Sequence, residues 1–301
     1  DPGAFGGAGL FSDGILTVVN SAIYDNVVAG GSGGGLENYG RATLADVMVK
    51  GNQAHAGGTE PVVGGGIANR GSITLTSCIV LQNTAADAGG GLYTGSDMGP
   101  TWVVITGTTI QANDTGIGGG GIECTGDLVV FNSTVISNTA GSEGCGIRLY
   151  PADRETVSAV LHGVTVSHNS GGDRGAGVLL RGRQRGSVEL SLKQSILASN
   201  QAAVSGGGLG IDFRTGGTAH VTIENATVSN NAAVDGDGGG ISISLSRSSE
   251  ASVSIDATTL SNNSTGWNGG AIASSADNLS TAAITVTNTT SGSLMMVMVD
   301  L

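Results

Sequence analysis

The residues best equipped for chemistry in this chain recur at fixed places behind runs of glycine. Tyr39, Arg70, Tyr150, Arg181 and Asp212 each stand three residues after the aliphatic residue that closes such a run, and Glu37, Tyr93, Glu123 and Arg148 stand one residue after it. Residues two apart on a strand point to the same side, so one face collects three of the four tyrosines and much of the charge. Aromatic faces pack on sugar rings, and arginine offers a planar fork to carboxylate or sulfate groups. The set Tyr39, Arg70, Tyr93, Glu123, Arg148, Tyr150, Arg181 and Asp212 therefore reads as a shallow strip for an acidic saccharide. The plainer alternative is a solvated sheet surface, with cross-strand pairs such as Glu123 beside Arg148 worth about 0.2 to 1 kcal/mol each.

Two other chemistries are expressible by the same residues. Glu37, Glu123 and Asp212 fall three repeats apart in turn, roughly 14 Å at strand spacing, too far for the ~5 to 9.5 Å that a glycosidase carboxylate pair needs. A lyase with Tyr150 or an arginine as base and Arg181 neutralising a uronate stays open. Asp235 and Asp237, flanking Gly236, suit a turn that holds Ca²⁺ through carboxylates and carbonyls, and solvated turn acids are the competing reading. The histidines His55, His162, His168 and His220 occupy unlike places in the repeat, so no two of them share metal-ligand spacing.

What must position these residues is a repeat. The aliphatic residues closing the glycine runs are Leu10, Leu36, Ile67, Leu92, Ile122, Ile147, Val178, Leu209, Ile241 and Ile272, at intervals of 25 to 32 residues. In phase with them run Asn26, Asn52, Asn83, Asn113, Asn138, Asn169, Asn200, Asn231 and Asn263. A large aliphatic precedes each by three places, and further inward residues stand eight and ten places before most of them, as in Leu75 with Ile73 before Asn83. Spacing by two means strands, and a fixed period of this size with no helical spacing inside it means a solenoid. The reading is an all-β, right-handed parallel β-helix of about ten rungs, three short strands to a rung, its hand set by the preference of parallel crossovers. The nine asparagines are expected to stack as a corner amide ladder.

Composition narrows the class. The chain holds 54 glycines in 301 residues without a Gly-X-Y period, which excludes collagen. The repeat runs from about residue 6 to 290, so residues 1–301 form one domain, with 291–301 either a cap over the last rung or the truncated start of something longer. A formal charge of −12 argues against a general nucleic-acid partner. Cys78, Cys124 and Cys145 all fall at inward positions and read as small core residues. The opening Asp1-Pro2 has no methionine or apolar leader, and the expectation is a mature or excised piece whose export signal has gone. Leu294 to Val299 is too short to span a bilayer.

With these residues laid out, the pairing of Gly-Gly-Ala-Ile (Gly269 to Ile272) with aliphatic-x-x-Asn resembles the repeats of polymorphic outer-membrane proteins and, more widely, the pectin-lyase-like β-helix superfamily. The resemblance implies a secreted or surface-displayed bacterial protein, often the stalk or passenger of an adhesin, and carries no catalytic residue over. The Asp-Asp pair of polygalacturonase-like hydrolases is missing, as is the Arg-x-Pro-x-x-Arg of pectate lyases. The expectation is thus an extracellular, non-enzymatic scaffold or adhesin segment. Its partners would be an acidic polysaccharide or other surface proteins, it would need no cofactor beyond the candidate Ca²⁺, and a uronate lyase is the alternative.

Overall fold

A computed structural model describes residues 8–57, 60–95, 101–182 and 185–292. The chain is a parallel β-solenoid. Three ten-stranded sheets run along it, each built from one strand per rung, and every pairing is parallel and in register. The described residues contain no helix. The first sheet holds the strands behind the glycine runs, from Leu10–Ser12 to Ile272–Ala276; the second runs from Ile15–Val19 to Thr281–Thr287 and the third from Ala22–Tyr24 to Thr290–Ser291. The tail beyond residue 292 and the first seven residues, where a cap and a lead-in are expected, lie outside the described residues.

The period of two is obeyed throughout. Ile73 and Leu75 on the second sheet and Val80 on the third are buried, as are their counterparts on the inner rungs, and all join one continuous core that runs the length of the solenoid. Burying such side chains contributes about 1.5 to 3 kcal/mol each. Because each rung stacks its aliphatics on like aliphatics, the core is a set of columns and not a cluster.

The expectation of three strands a rung needs correcting. A fourth sheet of nine short strands follows the asparagines, for example Gln53–His55, Thr84–Ala85 and Ala232–Ala233. Its inward position, two residues past the asparagine, is small: Ala54, Ala85, Ala140, Ala202 and Ala233 are all buried. An inward alanine brings this wall close to the axis, and one residue per strand is too little to register as a periodic signal.

The amide ladder is present in full. The Nδ2 of each asparagine from Asn26 to Asn231 donates to Oδ1 of the next, at 2.9 to 3.0 Å. The same Oδ1 accepts the backbone N–H of the earlier residue, as Asn169 N to Asn200 Oδ1 at 3.1 Å. The second Nδ2 hydrogen reaches a main-chain carbonyl one rung back, as from Asn169 to Val135 at 3.1 Å. The residue before each asparagine takes positive φ, as at His168 (54°) and Asn230 (54°), which swings a peptide inward away from the sheet ladders. The asparagine side chain satisfies the polar groups this exposes, and a buried polar group left unmet costs about 1 to 3 kcal/mol.

Candidate ligand groove on the first sheet

The face of the first sheet is organised by the turn that leads into it. The glycine three residues before each closing aliphatic, from Gly33 to Gly269, has positive φ and lies directly over the strand it precedes. Gly119 (φ 64°) and Gly144 (φ 60°) are two such cases: a Cβ on them would stand 2.6 Å from Glu123 Cβ and 2.7 Å from Arg148 Cβ. Only glycine fits there. The turn thus folds back over the strand and covers the residues that sequence spacing assigns to solvent. Glu37, Glu123, Arg148 and Asp212 are all buried, between 2% and 7% exposed, so the solvated-pair reading fails for these four.

The covering turn contributes residues of its own. The residue before the first glycine forms a column of parallel bridges through Val63, Ala88, Gly118, Glu143, Arg174 and Ser205, and Asp237 and Asn268 continue it through main-chain bonds to Gly206 and Gly238. In sequence Glu143, Arg174 and Asp237 each stand just before a positive-φ glycine, apart from the strand residues that follow it. The structure brings all three to the first-sheet face. The column changes from apolar to charged at Glu143, and that change was the available signal.

Two charged clusters result. Near the N-terminal end Arg70 lies 3.5 Å from Glu37 and between two rings, its guanidinium 5.8 Å from the Tyr39 centroid and 5.9 Å from that of Tyr93. Tyr39 also packs at a tilt against Phe11, centroids 5.8 Å apart, and burial together with Glu37 raises its phenol pKa. In the middle of the solenoid the charges form a chain. Arg148 meets Glu123 at 3.2 Å and Glu143 at 3.1 Å, with the Tyr150 ring beneath it at 4.3 Å. Glu143 in turn lies 3.3 Å from Arg181 and 3.9 Å from Arg174. Asp212 receives Arg181, Arg174 at 3.5 Å and Arg214 at 2.7 Å.

This chain is expensive to build. Burial pushes the Glu123 carboxyl up to about 7, with Arg148 pulling it down and Glu143 pushing it further up. A buried ion pair seldom stabilises a fold relative to an apolar filling, and a buried acid shifted by desolvation beside a charge partner is a candidate functional group.

Past Asp212 the face empties. The outward positions become Ser242 and Ser244, then Ala273 and Ser275, and the missing bulk leaves a groove of about 380 Å³, within the size range of small-ligand sites. Arg174 and Arg214 close one end; Asp237, Trp267 and Asn268 line its side. Trp267 is 72% exposed, an unusual position for the largest apolar side chain. Asp237 accepts the Asn268 N–H at 2.9 Å, whereas Asp235 is exposed. The described residues hold no cluster of three or more His, Cys, Asp or Glu side chains suited to a metal ion.

Of the eight strip residues expected from sequence, the structure gathers Tyr39, Arg70 and Tyr93 in one cluster and Glu123, Arg148, Tyr150, Arg181 and Asp212 in another. The groove itself is lined by residues that sequence reasoning did not select. Trp267 carries no periodic mark, and serines on a strand read as bland. No family model matches the chain, and neither the curated proteins nor the solved structures include a match to it.

Proposed function

We propose that this solenoid is an extracellular or cell-surface scaffold, of the kind that the repeats of polymorphic outer-membrane proteins suggest, and that it binds an acidic polysaccharide in the groove on its first sheet without cleaving it. The observation that carries the reading is the exposed Trp267 ring facing a trough that ends in Arg174 and Arg214. A flat apolar face for a sugar ring and two guanidinium forks for its carboxylate are the two elements such a ligand requires. The serine floor supplies hydroxyl donors and acceptors for the sugar hydroxyls. The proposed binding centre thereby lies at the end of the eight-residue strip, on the rungs that follow Arg148, Tyr150 and Arg181. Arg181 is not among the groove's lining residues, as Arg174 and Arg214 are, and Tyr150 lies beneath Arg148, an arrangement that does not favour a lyase base and its neutraliser.

The test is calorimetric titration with oligogalacturonate, heparin-derived oligosaccharide and neutral cellohexaose, at low and high salt, while ultraviolet absorbance is followed for an unsaturated uronate product. Binding of an acidic glycan that weakens as screening shortens from about 10 Å at 0.1 M to about 3 Å at 1 M, with flat absorbance, supports the proposal. Equal binding of cellohexaose, or none of the acidic glycans binding at low salt, overturns it. A rise in absorbance replaces the scaffold reading with the lyase.

A further inference from the structure

The charge chain ends in the groove, and that connection links a buried proton site to the ligand site. Glu123 is at the far end, 2% exposed. Arg148 bridges it to Glu143, Glu143 contacts Arg174, and Arg174 lines the groove and also contacts Asp212, which holds Arg214. Every link is a direct contact of 3.9 Å or less. The three acids and four arginines of the chain, Glu123, Glu143 and Asp212 against Arg148, Arg174, Arg181 and Arg214, sum to +1 when all are ionised and to +2 when Glu123 holds a proton.

We infer that proton uptake by Glu123 strengthens the groove's hold on an acidic glycan. This rests on the glycan reading proposed above. When Glu123 is neutral, Arg148 has Glu143 as its remaining carboxylate partner, and Glu143 then competes less well for Arg174 and Arg181. Arg174 becomes more available to a ligand carboxylate at the end of the groove. The geometry assigns the sensing step to Glu123 because of what surrounds it. Arg148 faces it from the following rung with Tyr150 beneath the guanidinium, Tyr93 is its pairing partner on the preceding strand, and Glu143 adds its charge from the covering turn. Burial, which lifts its carboxyl to about 7, places the change near neutrality. The four histidines sit elsewhere: His162 and His220 on second-sheet strands, His168 in the corner before Asn169, and His55 on the fourth sheet.

The experiment measures the dissociation constant for oligogalacturonate between pH 6 and pH 8, a range in which uronate carboxylates stay ionised, for the intact chain and for Glu123→Gln. A parallel titration without ligand follows the Nε–H resonances of Arg174 and Arg214 by NMR. The expected result is about five-fold tighter binding at pH 6 than at pH 8, the lower end of common site-to-site couplings. In Glu123→Gln the affinity should stay at its pH 6 value throughout, and the Arg174 resonance should lose its step near pH 7. An unchanged pH profile in Glu123→Gln, or an Arg174 resonance in the intact chain that does not move near pH 7, overturns the inference while leaving the glycan reading in place. Absence of binding at every pH removes the glycan reading and this inference about its affinity together.

Discussion

Two buried polar systems lie within the same solenoid, and they differ in one respect that separates fold from site. The asparagine ladder repeats one residue type on nine successive rungs, and from Asn52 to Asn231 both side-chain Nδ2 hydrogens are used, one on the next rung and one on the rung before. The charge chain from Glu123 to Arg214 repeats nothing. Its members come from the strand and from the covering turn on different rungs, and the Arg148 Nε meets no hydrogen-bond acceptor. A device that every rung carries serves the stacking of rungs. A device confined to four or five rungs, costly to bury and adjacent to a groove, is the part of the molecule to which we assign the proposed ligand response.

The sharpest way to break this comparison is to remove one member from each system. Arg148→Met leaves Glu123 facing no cation in a buried setting, and stripping one partner from such a pair costs about 3 to 5 kcal/mol. Part of that loss should return on acidification below pH 6, as Glu123 takes up a proton. Urea midpoints at pH 8 and pH 5.5 check both statements, and a loss of the same size at the two values would detach Glu123 from the effect.

Asn169→Leu is the matched change in the ladder. It removes the acceptor of the Asn138 N–H and Nδ2 and the donor to the Val135 carbonyl and Asn200 Oδ1, for about 1 to 3 kcal/mol, and nothing in the ladder titrates. The urea midpoint should therefore drop equally at both pH values. Asn26, only partly buried at the end of the ladder, should cost less when changed to leucine.

The intact protein should itself show the difference. The Glu123 carboxyl is raised from 4.5 to about 7, so between these values the folded state holds a proton that the unfolded chain has released. Stability from this group is present below pH 4.5 and is lost as pH rises toward 7, with a slope of at most about 1.4 kcal/mol per pH unit. Glu123→Gln should abolish that component. A denaturation series from pH 4.5 to pH 8 reads it, and an identical profile in the variant would show that Glu123 is not its source.

How much of this was legible in the sequence follows the same division. Register, strand positions and the ladder could be read because each is repeated: Val166 three places before Asn169 says little, but the same spacing on nine rungs says everything about the coil. The fourth sheet escaped because Ala54 or Ala85 is a single small residue with no alternation around it. Burial of the first-sheet charges escaped for a different reason. Alternation assigns Glu123 and Arg148 to the outside of the strand, correctly, and gives no hint that Gly119 and Gly144 fold back over them. Pairing across the turn is a tertiary fact, and so Arg174 and Glu143 looked unrelated. The groove was illegible because it is made of what is missing, the bulk absent at Ser242, Ser244, Ala273 and Ser275.

The smallest stability effect should come from the groove. Trp267→Ala removes a largely exposed ring and should stay within about 0.5 kcal/mol of the parent, while oligogalacturonate affinity falls by roughly ten-fold, equivalent to 1.4 kcal/mol. Arg214→Gln should weaken binding and reduce its salt dependence. If Trp267→Ala binds normally, the exposed ring has no part in recognition.

The central claim is that the ligand site lies beyond Asp212 and not along the tyrosines upstream of it, and the chain carries a convenient pair of reporters. It has two tryptophans, Trp267 at the groove and Trp102 on the second sheet, both exposed. Their indole N–H signals can be followed in one NMR titration with oligogalacturonate. The account predicts that the Trp267 signal shifts progressively to saturation and that the Trp102 signal stays in place. A silent Trp267 beside shifts in the ring signals of Tyr39 and Tyr93, or equal movement of both indoles, would contradict it.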